Sequence, residues 1–108
     1  MKGGVQVKIF RNPDAQWREE DAYREQAYKG LDEGEDVAEI GTSIILYSGK
    51  MHSINVLGSE VWKLCDGRTV DDIVAELLKS FDVEESVLRE DVNEFLKHMK
   101  EEGLINEE

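Results

Sequence analysis

Val5, Val7 and Ile9 alternate with Gln6 and Lys8, the period-two pattern of a short half-buried strand, and Arg11-Asn12-Pro13-Asp14 reads as a turn. From Asp21 to Leu31 the pattern changes. Ala22, Tyr23, Ala27, Tyr28 and Leu31 recur three to four apart, which predicts an amphipathic helix with a thin apolar face, ended at Gly34. Thr42 to Tyr47 is apolar and β-branched, Ser48-Gly49 is a two-residue turn signal, and Lys50 to Asn55 alternates again. These three pieces predict a β-hairpin.

Three helical patterns follow. Ser59 to Cys65 carries Val61, Trp62, Leu64 and Cys65 and closes at Asp66-Gly67, where Gly67 suits a left-handed position just past a helix end. Thr69-Val70-Asp71-Asp72 is a capping box with aspartate at its fourth position, and the helix behind it presents Val70, Ile73, Val74, Leu77 and Leu78 on one face. The last helix starts near Glu84 or Glu85 and runs to about Glu102. Its stripe of Leu88, Val92, Phe95, Leu96 and Met99 has core-facing spacing. Gly103 stops it, and Leu104-Ile105 form a short apolar tail that can fold back on the core. Strands followed by three helices, two of them joined by a short turn, give an α+β class. The plan is a winged helix-turn-helix: an N-terminal three-stranded antiparallel wing, three helices, and an extra N-terminal helical segment.

Composition narrows the partners. The chain has 108 residues, the size of one domain, with 25 acidic against 13 basic residues and a net charge of −12. Such a surface repels phosphate backbones and anionic lipid over roughly 8 Å at physiological salt. Nucleic acid and membranes are therefore poor partners, and basic peptide segments good ones. Even the helix a winged fold would lay in a major groove has the wrong sign, with six acids to three bases from Glu85 to Glu102. No stretch is apolar enough to span a bilayer or serve as a secretory signal, and one cysteine permits no internal disulfide. A reduced, cytoplasmic setting is expected.

Catalysis is hard to build from these residues. A pair of Cys65 with His52 or His98 is conceivable, but Cys65 falls in line with Val61 and Leu64 and reads as a buried structural thiol. No ligand spacing suits a metal, and no glycine pattern cradles phosphate. Asp71-Asp72, Glu84-Glu85 and Glu90-Asp91 sit at helix starts, where negative charge complements the helix dipole. The expectation is a protein without cofactor or enzymatic activity. A carrier role for Ser86, in Glu85-Ser86-Val87, fits poorly with the strand-rich first half.

One family draws these pieces together. His52-Ser53-Ile54-Asn55, Gly58, Val61-Trp62, Leu64-Cys65-Asp66-Gly67, Thr69-Val70, Ile73-Val74, Leu77, Phe81-Asp82-Val83, Asp91-Val92, Phe95-Leu96 and Gly103-Leu104-Ile105 resemble, in order and interval, the PqqD family. Its members are recognition elements for ribosomally made, post-translationally modified peptides. The resemblance implies a recognition domain over residues 41–108 behind an N-terminal extension of residues 1–40. It also implies binding of a precursor's leader segment and its delivery to a modifying enzyme of the radical S-adenosylmethionine (SPASM) type. For the first wing strand, Val5 to Phe10 and Gln16 to Glu20 both qualify.

An edge strand offers unpaired N–H and C=O groups to any extended peptide. In the family that edge is the last wing strand, here Lys50, Met51, His52, Ser53, Ile54 and Asn55, with the last helix alongside contributing Leu88, Val92, Phe95, Leu96 and Met99. Alternation sends Met51 and Ser53 to one face, His52 and Ile54 to the other. The alternative for the apolar members is plain core. An open edge also permits strand exchange within a homodimer. A winged-helix regulator acting through protein contacts is the competing function.

Overall fold

The computed structural model describes residues 7–108. In chain order the elements are β1 (Ile9–Arg11), β2 (Gln16–Glu19), α1 (Asp21–Asp32), β3 (Ser43–Tyr47), β4 (Lys50–Ile54), α2 (Val56–Lys63), β5 (Asp66–Arg68), α3 (Val70–Leu77), α4 (Glu85–Glu101) and β6 (Ile105–Glu107). Among the described residues this is a mixed α+β fold with two three-stranded antiparallel sheets, ordered β5-β1-β6 and β2-β3-β4. The chain divides into two compact units, one holding Lys63–Glu108 with the residues up to Asn12, the other Pro13–Trp62.

In the first unit β1 is the central strand. Ile9 faces Arg68 on one side and Glu107 on the other, with a bulge between Ile9 and Phe10 against β5. The Asn12 N–H donates to Leu104 O and its amide to Gly103 O, which anchors the turn after α4. Ile73, Val74 and Leu77 of α3 and Leu88, Val92, Leu96 and Met99 of α4 are buried, as their spacing predicts. Val5 lies outside the described residues, and the strand begins only at Ile9, Val7 being an exposed coil residue. Of the two candidate first strands, Gln16 to Glu20 contains β2, whereas Val5 to Phe10 overlaps β1 only at Ile9 and Phe10, and β1 runs on into Arg11, expected in the turn; β1 and β2 belong to different sheets. The apolar tail at Leu104-Ile105 is buried and opens β6.

Thr69 caps α3 as its sequence predicts: its hydroxyl accepts from the Asp72 N–H at 3.2 Å and the Asp72 carboxylate accepts from the Thr69 N–H at 3.3 Å. Removing one half orphans a helix-start donor. Thr69→Ala should lower unfolding stability by about 1 kcal/mol in urea titrations, and pairing it with Asp72→Ala should cost less than the two single changes added together.

In the second unit β2, β3 and β4 form a meander in which Trp17, Ile45 and His52 share one row and Arg18, Ile44 and Ser53 the next. Ser48 and Gly49 both have positive φ, 52° and 77°, so the β3–β4 turn is of the I′ kind whose twist matches the strands. Ile45 and Ile54 are buried on the inner face, while Leu46 and Met51 are exposed on the outer one. Trp62, fully buried, meets Trp17 edge-on with ring centres 6.1 Å apart and planes at 85°. The helix expected over 59–65 begins three residues earlier, at Val56, because the Asn55 side chain accepts from the Gly58 N–H at 3.0 Å and caps it.

The insert α1 is anchored more firmly than its thin apolar face suggests. Ala27 packs with Val37 and Val56. A Cβ at Gly30 would lie 2.6 Å from Val37 Cγ1, so only glycine lets the following loop approach so closely. Arg24 Nε lies 3.3 Å from Glu19 Oε2 and 3.7 Å from Glu60 Oε2, and its guanidinium stacks 4.9 Å from the centre of the Tyr28 ring.

Candidate functional site

Among the described residues strand β4 has a single neighbour, β3, and is an edge of its sheet. The two-residue turn makes Tyr47 and Lys50 a hydrogen-bonded pair, and the antiparallel alternation then makes His52 and Ile54 the residues whose backbone groups point into the sheet. The Thr42 N–H accordingly donates to Ile54 O at 2.8 Å. Met51 and Ser53 face Leu46 and Ile44 in the intervening non-bonded pairs, so their two N–H and two C=O groups point outward, along the open margin.

The side chains of the candidate set divide cleanly. Met51 is 68% exposed and Ser53 is also exposed, both on the outer face; Ile54 is buried and His52 half-buried on the inner one, the alternation expected. Asn55 is occupied locally: besides capping α2 its amide donates to Ala38 O at 3.2 Å. On α4, Leu88, Val92, Leu96 and Met99 are buried core residues, and Phe95 is half-buried. Of the residues singled out from sequence, the accessible ones on an unpaired edge are Lys50, Met51 and Ser53, with His52 between them.

The sequence reading passed over Leu46, 47% exposed and directly opposite Met51. The signal was available, since a two-residue turn at Ser48-Gly49 fixes the register and puts the two side chains on one face. Together they make an apolar spot beside the open backbone groups.

Burial, against the opposing charge of Arg11, pushes the Cys65 thiol up to about 12, so it stays protonated and is no nucleophile near neutral pH. Burial together with the charge of Glu60 raises the Tyr28 hydroxyl to about 12. Among the described residues no group of histidines, cysteines and carboxylates is placed to hold a metal ion, and no helix is long and apolar enough to cross a membrane.

Against known proteins, the family model for coenzyme PQQ synthesis protein D (PqqD) matches residues 42–105, more than half the chain. The chain belongs to the PqqD family. No curated protein matches it. Among solved structures, this PqqD-family chain resembles a lasso peptide synthetase B1 complexed with its leader peptide, at a TM-score of 0.61 and 17% identity, covering 94% of this chain and 99% of that one. At that identity the likeness is one of fold, and it extends well beyond the family match to take in β2 and α1.

Proposed function

We propose that this chain binds the leader segment of a ribosomally made precursor peptide as an added strand along β4, and presents it, without catalysis of its own, to a modifying enzyme of the radical S-adenosylmethionine class. The recognition role is assigned to residues 41–108, read as a winged helix-turn-helix whose wing strands β3 and β4 are completed by β2; residues 1–40 are an extension that supplies β1, β2 and α1. The observation that carries the reading is the open margin of β4, where Met51 and Ser53 turn their backbone groups away from β3. Family membership and the fold shared with a protein caught holding its leader peptide support it.

The energetics set what the side chains must add. Four outward backbone groups, at a net ~0.5–1.5 kcal/mol per hydrogen bond, supply about 2–6 kcal/mol. A micromolar complex needs about 8 kcal/mol. Backbone pairing alone falls short and is also blind to sequence, so apolar contacts such as those offered by Leu46 and Met51 must supply both the remainder and the discrimination.

The test uses peptides selected from a random dodecapeptide display library with the full chain as bait. Titrated into nitrogen-15-labelled protein, they should shift the amides of Lys50–Ile54. Met51→Pro should weaken them about tenfold or more while leaving the urea midpoint unchanged, because the lost N–H points away from β3 and proline is tolerated on that side of an edge strand. Shifts confined to other elements, with Met51→Pro binding like the parent, overturn the proposal.

A further inference from the structure

We infer that a cleft between α1 and the outer face of the β2-β3-β4 sheet receives a lysine or arginine side chain from the strand that β4 accepts, an inference that rests on the strand-addition reading above. The cleft has a volume of about 380 Å³ and lies wholly within the Pro13–Trp62 unit. Tyr23 of α1, Ile40 of the loop between α1 and β3 and the cross-strand pair Ile44 and Ser53 line it, together with Glu20 and Glu39. A cleft of this size holds a single long side chain comfortably.

Ser53 belongs to both features. It is one of the two residues whose backbone faces the open margin, and its side chain lines the cleft. A residue placed opposite Ser53 on an added strand projects its side chain on the same face as Ser53, with Cβ atoms about 5 Å apart. From there the way into the cleft runs past the small serine side chain, whose Oγ lies against Gly41, toward Ile44, across a further strand spacing of ~4.8 Å. Only a long side chain covers that path.

Charge then selects among the long ones. No lysine or arginine lines the cleft, while two glutamates do. Glu20 already holds Arg18 at 3.2 Å, but Glu39 is exposed and, among the described residues, no cation pairs with it. A lysine or arginine lays its apolar stem on Ile44 and Ile40 and carries its charge to Glu39, and an arginine can also stack on Tyr23, which is 55% exposed. A net charge of −12 brings such a peptide in and turns an acidic one away. The insert α1 thereby becomes a specificity element: it closes the side of the cleft opposite the sheet.

The experiment extends the dodecapeptide selection to Glu39→Gln as a second bait, with selected peptides resynthesised and titrated. Peptides that depend on Met51 should share a lysine or arginine. Replacing it with norleucine, which keeps the stem and removes the charge, should weaken binding to the parent about fivefold and to Glu39→Gln hardly at all. The amides of Tyr23 and Ile44 should shift with the basic peptide and less with the norleucine one. Peptides that are sensitive to Met51→Pro yet show no basic preference, or lose equally on both proteins, overturn the cleft assignment and leave strand addition standing. Peptides indifferent to Met51→Pro, or no enrichment at all, overturn strand addition and the cleft with it.

Discussion

Trp62→Ala should destabilise the protein by about 3–5 kcal/mol, or abolish folding altogether, since small domains hold only ~5–15 kcal/mol in total. The side chain is fully buried and is the largest among those so enclosed. Truncation forfeits the transfer free energy of a whole indole and leaves a cavity behind. It also removes the edge-on contact with Trp17 at 6.1 Å, a geometry worth ~0.5–1.5 kcal/mol beyond simple burial. Urea unfolding followed by far-ultraviolet circular dichroism measures the loss without relying on the altered fluorescence. Leu31→Ala, at a residue 38% exposed, serves as the contrast and should cost under about 1 kcal/mol. Equal effects at the two positions would show that the second unit does not depend on this tryptophan.

The second large effect is alkaline. In the folded chain the Cys65 thiol ionises at about 12 rather than at its ordinary value of 9.0, chiefly because burial penalises the thiolate. Unfolding exposes it, so between those values the unfolded chain binds fewer protons than the folded one, and stability falls as the pH rises. The contribution is intact below pH 9 and is lost progressively toward pH 12, amounting at full extent to about 4 kcal/mol at 1.36 kcal/mol for each pKa unit. Tyr28 acts in the same direction, its hydroxyl being raised to about 12 from 10.0. Comparing urea midpoints of the parent and Cys65→Ala from pH 8 to pH 11 isolates the thiol, because the tyrosine contribution is common to both. The parent should fall more steeply; parallel curves would remove Cys65 from the account. The same burial predicts that iodoacetamide leaves native Cys65 unmodified at neutral pH and labels it once urea unfolds the chain.

What the sequence disclosed follows from how local each signal is. The β3–β4 hairpin, α3 with its box and the long stripe of α4 were legible because turn chemistry, capping and periodicity all lie within a few consecutive residues. Strand β5 was not, since Asp66-Gly67-Arg68 has no strand-forming residue and its partner β1 lies more than fifty positions away. Gly67 was read as a turn, and with φ of 107° it is indeed left-handed; the pairing with β1 is added by tertiary structure. The start of α2 went unseen because its cap, Asn55, looked like the last residue of a strand and Gly58 three residues on resembled a break. Two runs with strand character, Val5 to Phe10 and Gln16 to Glu20, competed for one place, because alternation reveals strandness and says nothing of which sheet a strand joins. The β4 half of the candidate site was legible as a strand from turn and alternation. That its outer margin stands open depends on what does not pair there, which no residue pattern encodes. The α4 half shows the converse: a stripe of buried leucine, valine and methionine looks alike whether it lines a groove or fills a core.

The length of β4 carries one more consequence. It is pinned at one end by the Ser48-Gly49 reversal and at the other by the capped start of α2, so its five residues, about 17 Å at ~3.4 Å apiece, cannot be extended. Whatever chain runs beside it can be inspected over no more than five consecutive positions, with alternate ones showing the same side. Under the proposed strand addition, a vocabulary that brief leaves everything flanking it free to drift, so that peptides with little else in common would fit the same edge.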